Sequence, residues 1–213
     1  MLIQPRGTLL SRSTQVAPLI LRSVMGNMLY FTLVFVVAAT ALRSSEVLSL
    51  RWADILWEER KIRIVKAWKK SGVDGGTKTP SSERDVPMGK VLTHYLREWH
   101  KQTPYAKPKD FVFPSRRNSG RTPICSSVFC RVHLRPAAKK AGVVNPDGHR
   151  WGLHDLRHSL SNWLVNRARE QGILGHSRIQ TTLDLCTDED LDEMIAAQEK
   201  FLDAVGFEAG SVQ

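Results

Sequence analysis

The sequence predicts an α+β domain, mainly α-helical with a small antiparallel β-sheet, and three observations carry the prediction. Residues 28–42 form an unbroken apolar run. Leu153, Leu156, Leu160 and Leu164 recur at helical spacing. Lys61, Ile62, Arg63, Ile64 and Val65 set charged residues between β-branched ones, the pattern of a half-buried strand. A chain of 213 residues with 42% hydrophobic content is long enough to bury one core of its own.

In chain order, residues 13–24 and 28–42 read as two helices separated by Gly26-Asn27, and 44–50 as a third, short one. The run at 28–42 falls short of the ~20 residues a membrane-spanning helix requires, so it is read as a buried core helix. Ala39-Thr40-Ala41 mimics a signal-peptidase site, but the run begins too far from the N-terminus for a signal peptide. The strand at 61–65 leads through a turn containing Gly72, Gly75 and Gly76 to Thr77-Lys78-Thr79 and a second short strand at 84–88, giving a basic hairpin. Residues 89–101 are amphipathic through Val91, Leu92, Tyr95, Leu96 and Trp99. A brief extended stretch at 111–113 stops at Pro114, and 126–141 is a further helix. In the helix that begins at Leu153, the leucine stripe leaves His154, Arg157 and Ser161 on a different face. After Gly175-His176 and a segment at 177–185, residues 189–205 form a last helix whose apolar side is Leu191, Met194, Ile195, Leu202 and Val205.

Charge narrows the class of partner. The net charge of +10 is uneven: eight of the 21 acids and one of the 31 bases, Lys200, lie in 188–213, which leaves 30 bases and 13 acids, or +17, in the rest. A basic body of this kind suits a polyanion such as nucleic acid first and an anionic membrane surface second. Three cysteines make no disulfide framework and fit a reducing compartment. Cys125, Cys130 and His133 lack the fourth ligand of a structural zinc site and are read as helix packing, so no metal is expected.

Four dispersed elements carry chemistry: Arg43-Ser44-Ser45-Glu46 after the apolar run, Thr77-Lys78-Thr79, His154-Asp155-Leu156-Arg157-His158, and Gly175-His176 followed by Thr181-Thr182-Leu183-Asp184-Leu185-Cys186-Thr187. In this order, over roughly residues 15–205, they resemble the catalytic domain of the tyrosine recombinases, or phage-type integrases, which share chemistry with type IB topoisomerases. The resemblance implies the recombinase catalytic-domain fold, double-stranded DNA as partner, no cofactor, and a cytoplasmic, DNA-associated setting. It implies catalytic roles for Arg43, Lys78, His154, Arg157 and His176, with Arg43, Lys78 and Arg157 contacting DNA, Glu46 supporting Arg43, and the nucleophile at position 186, where a tyrosine is expected and this chain has Cys186.

The residue types suit the reaction. Attack on a phosphodiester builds charge on the non-bridging oxygens, and two arginines on separate helices can clamp both, since a guanidinium stays charged and donates two parallel hydrogen bonds. The departing 5′ oxygen needs a proton, which a lysine on a hairpin can supply, and histidines near neutral pKa can relay the nucleophile's proton. For Arg43 the other reading is a surface arginine paired with Glu46, and for Lys78 a solvated charge, with Lys69 or Lys70 as the phosphate contact instead.

Three features depart from the family pattern. Thr181–Leu185 leads directly into Cys186 and Tyr30, Tyr95 and Tyr105 all lie upstream, so no tyrosine reaches the nucleophile position. Only 18 residues separate Arg157 from His176, fewer than the family has. The expected organisation is an N-terminal extension at 1–12, a catalytic domain at 13–187 and an acidic helix and tail at 188–213, without the DNA-clamping, core-binding domain that precedes the catalytic domain in full-length integrases. The acidic tail resembles the segment that family members dock onto a neighbouring protomer on DNA. Two functions remain open: a recombinase domain breaking and rejoining DNA through a 3′-phosphotyrosyl link, impaired here by Cys186, or a non-catalytic DNA-binding remnant or regulator derived from an integrase.

Overall fold

The computed structural model describes residues 26–69, 74–76, 83–142, 150–158 and 191–204. The helix expected at 13–24 lies outside them, as do Lys78, His176 and Cys186.

Helix α1 (Met28–Thr40) begins where the Asn27 side chain accepts the Tyr30 amide at 3.3 Å, an N-cap that satisfies one of the donors a helix start leaves orphaned. Its residues are buried on every side, with Leu33 to Ala38 at 0% exposure, as the apolar run predicted for a core helix. Among the described residues no helix is long and apolar enough to cross a membrane. The helix ends at Thr40, two residues short of the expected boundary, because Ala41 takes a left-handed conformation (φ 52°) while its amide still reaches Val37 O at 3.0 Å. A non-glycine residue there costs roughly 1 kcal/mol, and the turn it makes leads into α2 (Ser44–Ser49).

A 3-10 turn (Trp52–Asp54) precedes β1 (Ile55–Leu56) and β2 (Lys61–Ile64). Strands β1, β2 and β5 (Arg84–Pro87) form an antiparallel sheet in which Ile62 lies opposite Val86 and Ile64 opposite Arg84. The alternation read from the sequence is present, since Ile62 and Ile64 are buried and Arg63 is exposed. Beyond Val65 the chain changes partners: β3 (Lys66–Trp68) pairs with β4 (Asp74–Gly76) in a separate two-stranded ribbon. Gly75 and Gly76, read from the sequence as part of a turn, are therefore strand residues opposite Ala67 and Lys66. Glycine composition misleads here because ladder bonds to β3 come from the backbone and need no side chain.

Helix α3 (Lys90–Gln102) buries Val91, Leu92, Leu96 and Trp99, the stripe its pattern predicted, and Tyr95 packs against Phe31 and Phe35 of α1. The extended stretch at 111–113 makes no strand; Phe111 forms an isolated bridge with Arg51, and Trp99 Nε1 donates to Val112 O at 2.7 Å. The helix expected at 126–141 divides into α4 (Ser126–Phe129), a π-helical turn (Cys130–Leu134) and α5 (Arg135–Lys140). Pro136 explains the widening: it has no amide to continue the i to i−4 ladder, and the Arg135 amide bonds Cys130 O, five residues back.

Helix α6 (Leu191–Ala204) packs on its own chain, burying Phe201 and Leu202 in the core that holds α1. Gln198, 4% exposed, bridges two helix ends. Its Nε2 donates to Ala39 O at the end of α1 (2.8 Å) and to Pro87 O (3.4 Å), and its Oε1 accepts the Gly89 amide at the start of α3 (2.6 Å). Glu199 accepts the Lys90 amide at 3.0 Å, a favourable charge at a helix N-terminus. Gln198→Leu leaves those buried backbone groups unpaired, so it is expected to destabilise the docking of α6 by ~1–3 kcal/mol. Faster hydrogen exchange confined to residues 195–203 is the expected readout; unchanged exchange there contradicts it.

Candidate active site

The turn at 41–43 is where the site is assembled. Arg43 is the N-cap residue of α2, and its amide donates to Glu46 Oε2 at 2.8 Å while its own Nη1 donates to Glu46 Oε1 at 3.0 Å. One residue pair earlier, the left-handed Ala41 turns its carbonyl out of the α1 ladder, and Arg157 Nη1 donates to it at 2.6 Å. Arg43 and Arg157, 114 positions apart, are thus both tied to one three-residue turn. Their environments differ: the Arg43 side chain is 42% exposed and Arg157 only 2%.

Glu46 is nearly fully buried and accepts from a second arginine, Arg84, whose Nη1 reaches Oε1 at 3.2 Å and whose Nη2 reaches Oε2 at 3.0 Å. This bidentate pair is itself buried, with side-chain exposures of 8% and 5%. Burial alone pushes the Glu46 carboxyl up, but hydrogen bonds and charge from Arg84, joined by those from Arg43, hold it below the usual carboxylate range. Glu46 is therefore a carboxylate under two guanidiniums. The sequence pointed to Glu46 beside Arg43 and missed Arg84 as its partner. A signal was present: in the β2–β5 register Arg84 faces the same side as the buried Ile64 and Val86, and an inward-facing arginine needs a buried acid.

Leu153 and Leu156 are buried, as their stripe requires, but the polar face beside them is not uniform. His154 is exposed while Arg157 points into the protein. Arg157 follows Leu153 by four residues and so lies at the edge of the buried stripe, close enough to reach Ala41. His154 contacts His158 edge-on, with ring centroids 4.4 Å apart, and partial burial followed by the His154 charge lowers the His158 pKa. Lys78, His176 and Cys186 lie outside the described residues, so of the six expected catalytic positions the structure describes Arg43, His154 and Arg157.

Among the described residues no cluster of His, Cys, Asp and Glu is arranged to hold a metal. Cys130 is buried, Cys125 is exposed and bonded to Ser127 Oγ (3.2 Å), and the His133 ring lies 4.0 Å from that of Tyr30. A basic surface adjoins this cluster and was not singled out from the sequence. Residues 111–146 carry seven arginines and lysines and no acid, and Arg116, Arg117, Arg121, Arg131, Lys139 and Lys140 are exposed. Arg116 and Arg117 share a groove with Tyr30, Cys125, Val128 and His133, which joins the loop to the α4–π segment.

Residues 21–190 match the model of the phage integrase family. The chain belongs to that family. Among curated relatives, this phage integrase family member is 28% identical over 158 residues to the tyrosine recombinase XerC of Proteus mirabilis, spanning 71% of this chain and 45% of that protein. It is 28% identical over 155 residues to the tyrosine recombinase XerD of Pseudomonas putida, spanning 69% and 45%. The chain thus spans a little under half the length of the curated relatives it matches. The fold is similar to that of the XerA recombinase crystal structure, with a TM-score of 0.55 at 23% identity over 92% of this chain and 65% of that one. It is similar also to the Tn1549 transposon integrase in complex with circular intermediate DNA, with a TM-score of 0.60 at 20% identity over 90% and 66%. These likenesses agree with the mainly helical fold and small antiparallel sheet expected from the sequence, and they establish the phage integrase assignment that the dispersed motifs suggested.

Proposed function

We propose that this chain binds double-stranded DNA as the catalytic portion of a site-specific tyrosine recombinase, with the strand-cleaving step impaired by Cys186. The observation that carries the reading is the turn at 41–43, where Arg43 and Arg157 are anchored from opposite ends of the domain by Glu46 and by the Ala41 carbonyl. Two cations held this way answer the two non-bridging oxygens of a scissile phosphate. In the parent reaction a tyrosine hydroxyl attacks phosphorus, the bond to the 5′ oxygen breaks, and a 3′-phosphotyrosyl link forms. In this chain Lys78 is assigned the proton for the departing 5′ oxygen, and His154 and His176 the proton relay and phosphate contact. The exposed basic surface at 116–140 supplies contacts to flanking phosphates.

The test is affinity for a mixed-sequence duplex as a function of salt. With about six phosphate contacts, log K is expected to fall with log salt at a slope near −5. Affinity that does not respond to salt contradicts the reading.

Helix α6 is proposed as the segment through which protomers associate on DNA, leaving its own groove for that of a neighbour; its apolar Phe201 and Leu202 and the polar latch at Gln198 support this role. An earlier elution volume in gel filtration with DNA than without is expected, and equal volumes contradict the exchange. A second reading, a DNA-binding regulator that occupies recombination sites without cutting them, is favoured by one observation, the cysteine at position 186.

A further inference from the structure

We propose that Arg84 is a positioning residue that keeps Arg43 available to DNA phosphate by neutralising Glu46. The inference rests on the reading of Arg43 as a phosphate ligand. Each oxygen of Glu46 takes two donors: Oε1 takes Arg43 Nη1 (3.0 Å) and Arg84 Nη1 (3.2 Å), and Oε2 takes the Arg43 amide (2.8 Å) and Arg84 Nη2 (3.0 Å). Arg84 occupies the carboxylate with both terminal nitrogens, whereas Arg43 gives it one, and the Arg43 side chain is 42% exposed against 8% for Arg84.

The charge count of the cluster decides the consequence. Two guanidiniums over one carboxylate leave a net positive charge, and the exposed member, Arg43, presents it to solvent. Without Arg84 a buried carboxylate would face Arg43 alone. The pair would then be neutral, and the geometry strongest for it is the two-point contact that Arg84 now makes, which draws the Arg43 guanidinium inward. Arg84 also follows Lys78 by six residues and opens β5, so the same contact fastens the strand that leaves the lysine segment to the helix that carries Arg43.

The probe is a labelled mixed-sequence duplex, with binding measured across a salt series. Arg43→Ala is expected to reduce the magnitude of the salt slope by about 0.9, the value of one phosphate contact. Arg84→Gln is expected to reduce it as much and to add nothing in an Arg43→Ala background. The variant that separates positioning from mere structure is the double substitution Arg84→Gln with Glu46→Gln: removing the carboxylate frees Arg43 and is expected to return the slope to the wild-type value. Arg84→Lys, which keeps the charge, is expected to hold the wild-type slope and serves, with the double variant, if Arg84→Gln alone does not fold. A wild-type slope in Arg84→Gln, or a double variant no better than a structural loss would leave it, overturns the inference while Arg43→Ala still behaves as expected. An Arg43→Ala variant with an unchanged slope overturns the reading of Arg43 and this inference together.

Discussion

Wild-type protein incubated with a nicked suicide duplex is expected to give no covalent protein–DNA adduct, and Cys186→Tyr is expected to give one. Ionisation does not separate the two residues in the required direction, since a thiol of ordinary pKa ~8.5 ionises more readily than a phenol at ~10. Reach separates them. The cysteine sulfur ends roughly 3.5 Å nearer its backbone than a phenolic oxygen, and attack needs reacting atoms about 3–3.5 Å apart. Orientation of this kind supplies ~7–11 kcal/mol of a barrier, and at ~1.36 kcal/mol per tenfold its loss amounts to about five orders of magnitude or more. A cysteine is in addition a weak nucleophile toward phosphodiesters. Denaturing gel electrophoresis after a single turnover reads the outcome. A wild-type adduct that Cys186→Ser abolishes would overturn the expectation, and an absence of adduct in Cys186→Tyr would place the defect elsewhere, with the short spacing between Arg157 and His176 the first place to look.

The second large effect is on stability. Glu46→Ala is expected to cost about 3–5 kcal/mol, because it leaves the buried Arg84 guanidinium without its acid. The same carboxylate makes stability depend on pH. Its pKa in the folded protein lies below its ordinary value near 4.5, so the unfolded chain binds the proton first and stability is lost as pH falls from about that value through the folded one. Above pH 4.5 the contribution is fully present. Denaturant unfolding of wild type and Glu46→Gln, followed by circular dichroism at pH 7 and at stepwise lower pH, separates this group from the remaining carboxylates. The gap between the two proteins is expected to narrow on acidification, and a constant gap counts against the assignment.

Local patterns account for what was legible beforehand. The burial of α1, the apolar stripe of α3, the alternation in β2 and the amphipathic α6 each follow from the spacing of apolar residues along one segment. Where a neighbour intervenes, the pattern was silent or misleading. Gly75 and Gly76 are strand residues only because β3 lies beside them. Pro136 has its effect through a π-helical turn instead of ending the helix, and Ala41 leaves the helical conformation although alanine is the best helix former.

For the site, the sequence by itself determined which residues were candidates and in what order they come, because residue chemistry and motif spacing are properties of the chain alone. It also determined that position 186 holds a thiol. Only the tertiary structure decided which of those candidates share a partner. The meeting of Arg43 with Arg157 through the turn at 41–43, the recruitment of Arg84 to Glu46 from 38 residues away, and the seating of Gln198 between α1 and α3 all join residues distant in the chain. The physical reason is common to the three. A buried charge or an orphaned backbone group must find a partner wherever folding brings one within hydrogen-bond distance, and no local periodicity records which partner that is.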